Sequence, residues 1–385
     1  MRSRANDAAI LVGLFWCAGG IDLNTPQLDR VLLLIAGAVL LGLSLRGHDQ
    51  GAYIGWYAVL IGASERFSRI PFPDGSDVLR ATDEAIGNLL HGIDPYAVPL
   101  VSTIPPGSPL VYPPGELFWY LPAHVLVGDL SRVDTWAGIF LTAAIAITGL
   151  RAGWDKVALP AMLYATWGVG VFRAIDGSND ISASFMAVLG LALLVFADRD
   201  TRLGRVCFVL SAITLGWAVA FKQFAVVLLP LVLRHLAVAG RDWRRYGLIS
   251  LVTIAVFVLP FLIWDPGAFL SQQLATLTFH QEVWGANLPA LLQQYRDVTD
   301  LVTGFFIAEI VVTLAALGLA LRARIPTIGV ATLGACGVIL IALLLAKWTT
   351  QPYYAYLGGL AAMGLALVDR DARTVATEAA GPQKT

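Results

Sequence analysis

The chain has 385 residues, of which 57% are hydrophobic and only 14% are charged, and its mean hydropathy is +0.71. Soluble domains carry about 25% charged residues, so this composition excludes an ordinary soluble domain and indicates a membrane protein. The net charge of −1 does not point to nucleic acid, and no nucleic-acid partner is expected.

Apolar runs along the chain predict about twelve transmembrane helices, since a helix needs about 20 apolar residues to cross the hydrocarbon. The predicted spans are residues 8–22, 29–45, 50–64, 133–150, 156–172, 181–197, 205–221, 223–239, 246–264, 300–321, 326–346 and 353–368. The fold class is therefore an all-α polytopic bundle. The three cysteines, Cys17, Cys207 and Cys336, fall in apolar runs and are expected to be buried thiols.

The distribution of arginine and lysine predicts the orientation. With the N-terminus in the cytoplasm, the inner segments hold 17 of the 26 basic residues, and most acidic residues fall outside. The positive-inside rule favours this arrangement over its reverse. The chain then divides into N-terminal helices (1–64), an outer loop (65–132), the remaining bundle with a second long outer loop at 265–299 (133–369), and a disordered cytoplasmic tail (370–385).

The outer loop 65–132 contains "PDGSDVLRATDEAIGNLLHGIDPY", a polar stretch with helical periodicity. Ser76 is a good N-cap, Asp77 follows in the first turn, where the helix dipole favours a negative charge, and Gly92 suits a left-handed C-terminal cap. A helix of about 15 residues with this charge is too short to span. We expect it to lie flat on the non-cytoplasmic surface of the membrane.

A second helix is predicted at about 115–127, opened by the prolines of "YPPGELFWYLP" and interrupted by Pro122. We expect this helix to dip into the outer leaflet rather than cross. The two helices would hold Asp77 at the boundary between water and lipid. Local rules leave a second interpretation open, in which Asp77 only stabilises a helix start and Asp74 is a turn residue.

These pieces together resemble the GT-C superfamily of integral membrane glycosyltransferases. The resemblance covers roughly residues 65–365 and is greatest to polyprenyl-phosphate-mannose-dependent mannosyltransferases, including bacterial phosphatidylinositol-mannoside and GPI mannosyltransferases. The matching segments are "SDVLRATDEA", "GIDPY", "VYPPGELFWYLP", "DGSNDISASF", "FKQFAVVLLP", "FHQEVWGANLPALL" and "KWTTQPYYAYL".

The resemblance implies an inverting transfer of a sugar, with mannose as the default, from a polyprenyl-phosphate donor to a lipid or glycan acceptor on the non-cytoplasmic face. Asp77 would be the general base that takes the proton of the acceptor hydroxyl. Asp74 and Asp180 would position the acceptor or hold a metal such as Mg²⁺ or Mn²⁺. The remaining implied contacts are Lys222, Lys347, His280 and Arg80 for the donor phosphate, and Tyr96, Tyr112, Gln351 and Tyr353 for the acceptor or sugar. The expected location is a bacterial inner membrane.

Simpler interpretations of these residues remain open. Lys222 and Lys347 end apolar runs, where lysines commonly snorkel to the interface. Tyrosines near position 353 suit an aromatic belt, and His280 suits a polar loop.

The main alternative function is a transporter, for which twelve spans with both ends inside is a common arrangement. Transporters place their sites near the midplane between repeated halves. The long first outer loop has no counterpart in the second half of this chain. A phosphoethanolamine transferase or ligase of the same face and a membrane scaffold have no specific sequence support.

Overall fold

The computed structural model describes residues 10, 13–14, 28–45, 51–69, 76–198, 200–278 and 283–368. Within these ranges the chain is almost entirely helical, which confirms the all-α class. The helices are α1 (Leu28–Leu45), α2 (Gly51–Phe67), α3 (Asp77–Leu90), α4 (Gly115–Leu126), α5 (Val133–Ile147), α6 (Gly149–Ala152), α7 (Trp154–Thr166), α8 (Gly168–Arg173), α9 (Asp180–Phe196), α10 (Arg202–Phe221), α11 (Ala225–Val238), α12 (Trp243–Trp264), α13 (Pro266–Thr278), α14 (Leu288–Gln293), α15 (Val302–Arg322), α16 (Ile328–Leu345) and α17 (Gln351–Leu367).

Five helical segments of the described chain are long and apolar enough to cross a membrane: Val133–Ala152, which joins α5 and α6, Arg202–Phe221, Trp243–Trp264, Val302–Arg322 and Ile328–Leu345. Helices α9 and α11 are apolar but shorter. Eleven of the predicted spans coincide with helices, whereas most of the first, 8–22, lies outside the described residues. The predicted count of twelve spans is therefore not established.

One predicted span, 156–172, is broken into α7 and α8 at Trp167, whose backbone is extended with ψ 111°. The Trp167 ring lies against α17 at Gly358, where an added Cβ would sit 1.9 Å from a ring carbon. Only glycine leaves room for the ring. The break thus coincides with a contact to a distant helix, of which the apolar run itself gives no sign.

Helix α9 is the centre of the bundle. It packs against α5, α10 and α17, and most of its 17 residues are buried. By contrast, α15 has no buried residue and packs mainly on α16 at the edge of the bundle. The polar start of α9 is consequently held among helices from distant parts of the chain.

Helices α3 and α4 pack against each other, and α4 approaches the end of α10 closely. A Cβ on Gly115 would lie 2.5 Å from the carbonyl oxygen of Ala220, and the Trp217 indole donates a hydrogen bond to the Gly115 carbonyl at 2.8 Å. This contact brings Glu116, the residue after Gly115, next to the end of α10.

Two short strands, β1 (Trp284–Gly285) and β2 (Trp348–Thr349), form a parallel bridge with Trp284 opposite Trp348 and Gly285 opposite Thr349. The amide of Trp284 donates to the Lys347 carbonyl at 3.0 Å, and that of Ala286 to the Thr349 carbonyl at 2.9 Å. The bridge fastens the segment after α13 to the chain between α16 and α17.

Candidate active site

A cavity of about 1170 Å³ opens between segments that are far apart in the sequence. Its walls come from the start of α3, the loop at 103–112, the loop before α9, the β1–β2 bridge and the start of α17. Two carboxylates, Asp77 and Asp180, and one guanidinium, Arg173, line it. These charged groups make it a candidate site for a polar ligand.

Asp77 is the first residue of α3, and the predicted cap before it is present. The Ser76 hydroxyl accepts from the Val78 amide at 3.3 Å. The Ser76 amide donates to the Asp176 carbonyl at 2.6 Å, which ties the helix start to the loop before α9. Gly92 has a φ of +74° after the end of α3, as a left-handed cap requires. The start of α3, and with it Asp77, is thus fixed against the loop before α9.

Asp180 begins α9 and forms a buried ion pair with Lys222, the C-terminal cap of α10. The Lys222 Nζ lies 2.7 Å from Asp180 Oδ1 and donates to Asn179 Oδ1 at 2.7 Å. The two charged side chains are only 1% and 2% exposed. Asn179 reaches this position with a left-handed backbone, φ 60°, a conformation that asparagine tolerates.

Three aromatic rings surround the Lys222 ammonium. Its Nζ lies 5.1 Å from the ring centre of Tyr112, 5.2 Å from that of Tyr353 and 5.7 Å from that of Phe224. These distances fall within cation–π range, so the rings stabilise the charge that pairs with Asp180. Tyr112 and Tyr353 also line the cavity, so these two rings lie between Lys222 and the cavity.

Glu116 extends the polar chain to α4. Its Oε1 accepts from Asn179 Nδ2 at 2.7 Å and from the Thr82 hydroxyl at 3.0 Å. Burial raises the pKa of the Glu116 carboxyl to about 7, although these hydrogen bonds and Lys222 oppose the rise. Glu116, Asn179, Lys222 and Asp180 therefore form one continuous polar network that joins α4, α9 and α10.

Arg173, at the end of α8, also lines the cavity. Its guanidinium contacts the Asp176 carboxylate and donates to Gln351 Oε1 at 2.9 Å. These partners come from the loop before α9 and from α17, so the guanidinium is fixed in the wall. A guanidinium held this way can present its remaining N–H groups to a phosphate.

The rim of the cavity carries two tryptophans brought together by the bridge. The rings of Trp284 and Trp348 are 4.8 Å apart between centroids, and Trp284 is 56% exposed. Aromatic side chains with one exposed face suit the membrane interface and the flat face of a sugar.

The predicted site residues divide into four groups. Asp77, Asp180, Tyr112, Gln351 and Tyr353 line the cavity. Lys222 lies behind Asp180, and Tyr96 is buried, with its hydroxyl donating to the Tyr112 carbonyl at 2.9 Å. Lys347 is 8% exposed beside the bridge, and Arg80 is half-buried in α3; neither lines the cavity. Asp74 and His280 lie outside the described residues.

Sequence reasoning missed Arg173, Glu116, Asn179, Trp284 and Trp348. Arg173 and Asn179 belong to "RAIDGSND", a short segment from which only Asp180 was selected. An arginine in an outer loop beside two acids was the available signal. The roles of Glu116 and the two tryptophans depend on contacts between distant segments, for which the sequence pattern holds no sign.

A metal site is not assembled by the part of the chain that the structure describes. No group of three or more His, Cys, Asp or Glu side chains there is placed to hold an ion. The two cavity carboxylates are a small donor set, and Asp180 is already neutralised by Lys222.

No family model matches this chain, and no curated protein matches its sequence. Solved structures do match. ArnT from Cupriavidus metallidurans bound to undecaprenyl phosphate is 14% identical over 83% of this chain and 60% of ArnT, with a TM-score of 0.51. The apo state of ArnT gives 16% identity, 86% and 61% coverage, and a TM-score of 0.52. Oligosaccharyltransferase AglB from Archaeoglobus fulgidus, in complex with an inhibitory peptide and a dolichol-phosphate, is 16% identical over 88% of this chain and 52% of AglB, with a TM-score of 0.46.

At 14–16% identity the likeness to ArnT is one of fold: this chain shares its fold with the part of ArnT that it matches. This chain spans about 60% of the length of ArnT.

Proposed function

We propose that the protein is a glycosyltransferase that moves a sugar from a polyprenyl-phosphate donor to a hydroxyl of a lipid or glycan acceptor. The observation that carries this proposal is the cavity of a GT-C fold lined by Asp77, Asp180 and Arg173. The cavity offers a base for the hydroxyl and a cation for the phosphate. The ArnT structure with undecaprenyl phosphate supports a lipid-linked donor of this kind.

In the proposed reaction the acceptor oxygen attacks the anomeric carbon while Asp77 takes the hydroxyl proton. The bond between the anomeric carbon and the phosphate oxygen breaks, and the phosphate leaves with the electron pair. One base and one displacement invert the anomeric centre. No covalent enzyme intermediate is needed.

Asp77 suits the base better than Asp180. The Asp180 carboxylate is 1% exposed and accepts from the Lys222 ammonium at 2.7 Å, so the ion pair already occupies the oxygen that would have to take the proton. Asp77 is half-buried, and the side-chain contact it has with Ser76, at 3.5 Å, is long. Asp180 is better placed to hold an acceptor hydroxyl by accepting its hydrogen bond.

Arg173 is proposed to bind the donor phosphate. Replacing it by glutamine should reduce the rate of transfer about 10²–10³-fold, as loss of a preorganised donor to a developing anion does. The measurement is transfer at varied donor concentration by purified protein. Arg173→Lys keeps the charge but loses the paired N–H donors of the guanidinium, so its rate of transfer should lie between those of the wild-type protein and Arg173→Gln.

Arg132→Gln is the matched control, because Arg132 is half-buried, does not line the cavity, and its guanidinium donates to the Arg69 carbonyl. Unchanged donor dependence in a folded Arg173→Gln protein would remove Arg173 from the phosphate site.

The sugar is proposed to be mannose, on the basis of the motif resemblance. Membranes containing the protein, supplied with a panel of radiolabelled polyprenyl-phosphate sugars, should move one label to an acceptor. Asp77→Asn membranes serve as the control. Absence of transfer from every donor, with accumulation of label inside vesicles, would favour a transporter.

The active site is proposed to face away from the cytoplasm of a bacterial inner membrane. Cysteines introduced at Val101, which is 74% exposed near the cavity, and at Arg202, at the start of α10, should label from opposite sides with an impermeant thiol reagent. The native cysteines are first replaced. Labelling of both positions from one side would contradict the orientation.

A further inference from the structure

A second cavity, of about 180 Å³, lies at the other end of α9 from Asp180. It is lined by Asp198, Arg205, Phe208, Arg241, Asp242 and Arg245. Helix α9 has 17 residues and is about 26 Å long at 1.5 Å per residue. Helices α10 and α12, both long enough to span a membrane, begin beside this cavity. The two cavities therefore lie near opposite faces of the membrane.

The second cavity is basic. Three arginines face two aspartates, which leaves a net charge of +1, and Arg202 and Arg244 lie in the same first turns. Both carboxylates already serve the backbone: Asp198 accepts from the Asp200 amide at 3.0 Å, and Asp242 from the Arg245 amide at 3.0 Å. The positive dipole ends of α10 and α12 add to the field.

Arg241 forms the rigid floor of this basic cavity. Its guanidinium donates to the Ala197 carbonyl at the end of α9 and lies 5.5 Å from the ring centre of Phe208. Arg205 and Arg245 are exposed at its mouth, one on α10 and one on α12. The cavity thus combines one guanidinium bound at a helix end with two exposed guanidiniums, a set of N–H donors that suits a phosphate with several oxygens.

Exposed apolar side chains stand in the same first turns. Leu203 of α10 is 69% exposed and Trp243 of α12 is 42% exposed. A free phosphate makes no favourable contact with apolar side chains, whereas a phospholipid places its acyl chains beside its headgroup, where they can contact such side chains. A cavity of about 150 Å³ holds a molecule the size of benzene, so this one admits a single phosphate group.

We propose that the basic cavity binds the phosphate headgroup of an anionic phospholipid. Its position at the ends of spanning helices is the level of the lipid headgroups. In the orientation predicted from the charge distribution, it faces the cytoplasm, where basic pockets between helices recruit anionic headgroups. This proposal is independent of the reaction in the large cavity, because it rests on residues at the opposite end of α9.

The test uses the full-length protein in nanodiscs of phosphatidylcholine, with or without a minor fraction of phosphatidylglycerol. The anionic lipid should raise the unfolding temperature by roughly 2–4 °C. The double variant Arg205→Gln/Arg245→Gln should lose this rise. Its affinity for phosphatidylglycerol, measured by native mass spectrometry, should fall about 30-fold, because each basic residue near a headgroup contributes roughly fivefold.

The matched control is Arg322→Gln/Arg324→Gln, which removes the same charge from exposed positions at the end of α15, outside the cavity. This control should keep the response to phosphatidylglycerol. Equal loss in both double variants would reduce the effect to general electrostatic attraction and overturn the proposal. Equal stabilisation by inorganic phosphate in detergent would also overturn it, in favour of a free-anion site.

Discussion

Asp77→Asn is expected to lower the rate of sugar transfer about 10²–10⁴-fold, the usual contribution of a general base. Asparagine keeps the size and the capping geometry of the helix start but cannot take the acceptor proton. Donor binding should persist, because Arg173 and the cavity walls are unchanged. The measurement is single-turnover transfer from a radiolabelled polyprenyl-phosphate sugar, together with donor affinity.

Asp83→Asn supplies the control on the same helix. Asp83 is exposed and contacts His124 at 2.7 Å, away from the cavity, so its replacement should leave transfer near normal. If the only role of Asp77 is the favourable interaction of its charge with the helix dipole, its replacement should cost about 0.3–1 kcal/mol of stability and leave the rate of transfer nearly unchanged. A folded Asp77→Asn protein with substantial activity would place the base elsewhere. Loss of activity in EDTA and its return with Mg²⁺ or Mn²⁺ would instead indicate that Asp77 shares a metal.

Lys222→Met is expected to destabilise the protein by about 3–5 kcal/mol, the usual result of leaving one member of a buried ion pair without its partner. The buried Asp180 carboxylate would lose the ammonium 2.7 Å away, and Asn179 would lose the donor to its side-chain oxygen. The measurement is the unfolding free energy in detergent. The sequence assigned Lys222 to the donor phosphate, which would predict lost transfer with nearly normal stability.

The double variant Asp180→Asn/Lys222→Met distinguishes these roles. Removing both charges avoids the uncompensated buried carboxylate, so the double variant should recover much of the stability that Lys222→Met loses. Transfer should remain low, since Asp180 lines the cavity. A double variant as unstable as the sum of its two single variants would show that the pair does not act as a unit.

The helices of this protein could be predicted because long apolar runs have few alternatives in a membrane. The start of α3 was also readable, since the capping rules at Ser76 and Gly92 involve only neighbouring residues. The break at Trp167 could not be predicted, because the contact that accompanies it is with a glycine 191 positions later in the chain. Local chemistry fixed the helix ends, and distant packing fixed the interruptions.

The same division applies to the site. Asp77 could be selected as the first residue of a polar helix and Asp180 through the family resemblance, but their sharing of one cavity requires the packing of α3 beside the loop before α9. The pairing of Lys222 with Asp180 joins residues 42 positions apart, and Glu116 reaches Asn179 across 63. A sequence shows which groups carry charge, but it does not show which opposite charge each group meets.

The cavity is completed late in protein synthesis, because the wall formed by Trp348–Tyr353 follows all its other lining residues in the sequence. Tyr353 is added 276 residues after Asp77, an interval of about 14–55 s at 5–20 residues per second. Throughout that interval the nascent chain contains Asp77 without the wall formed by Trp348–Tyr353, so the cavity that both line cannot yet enclose a ligand.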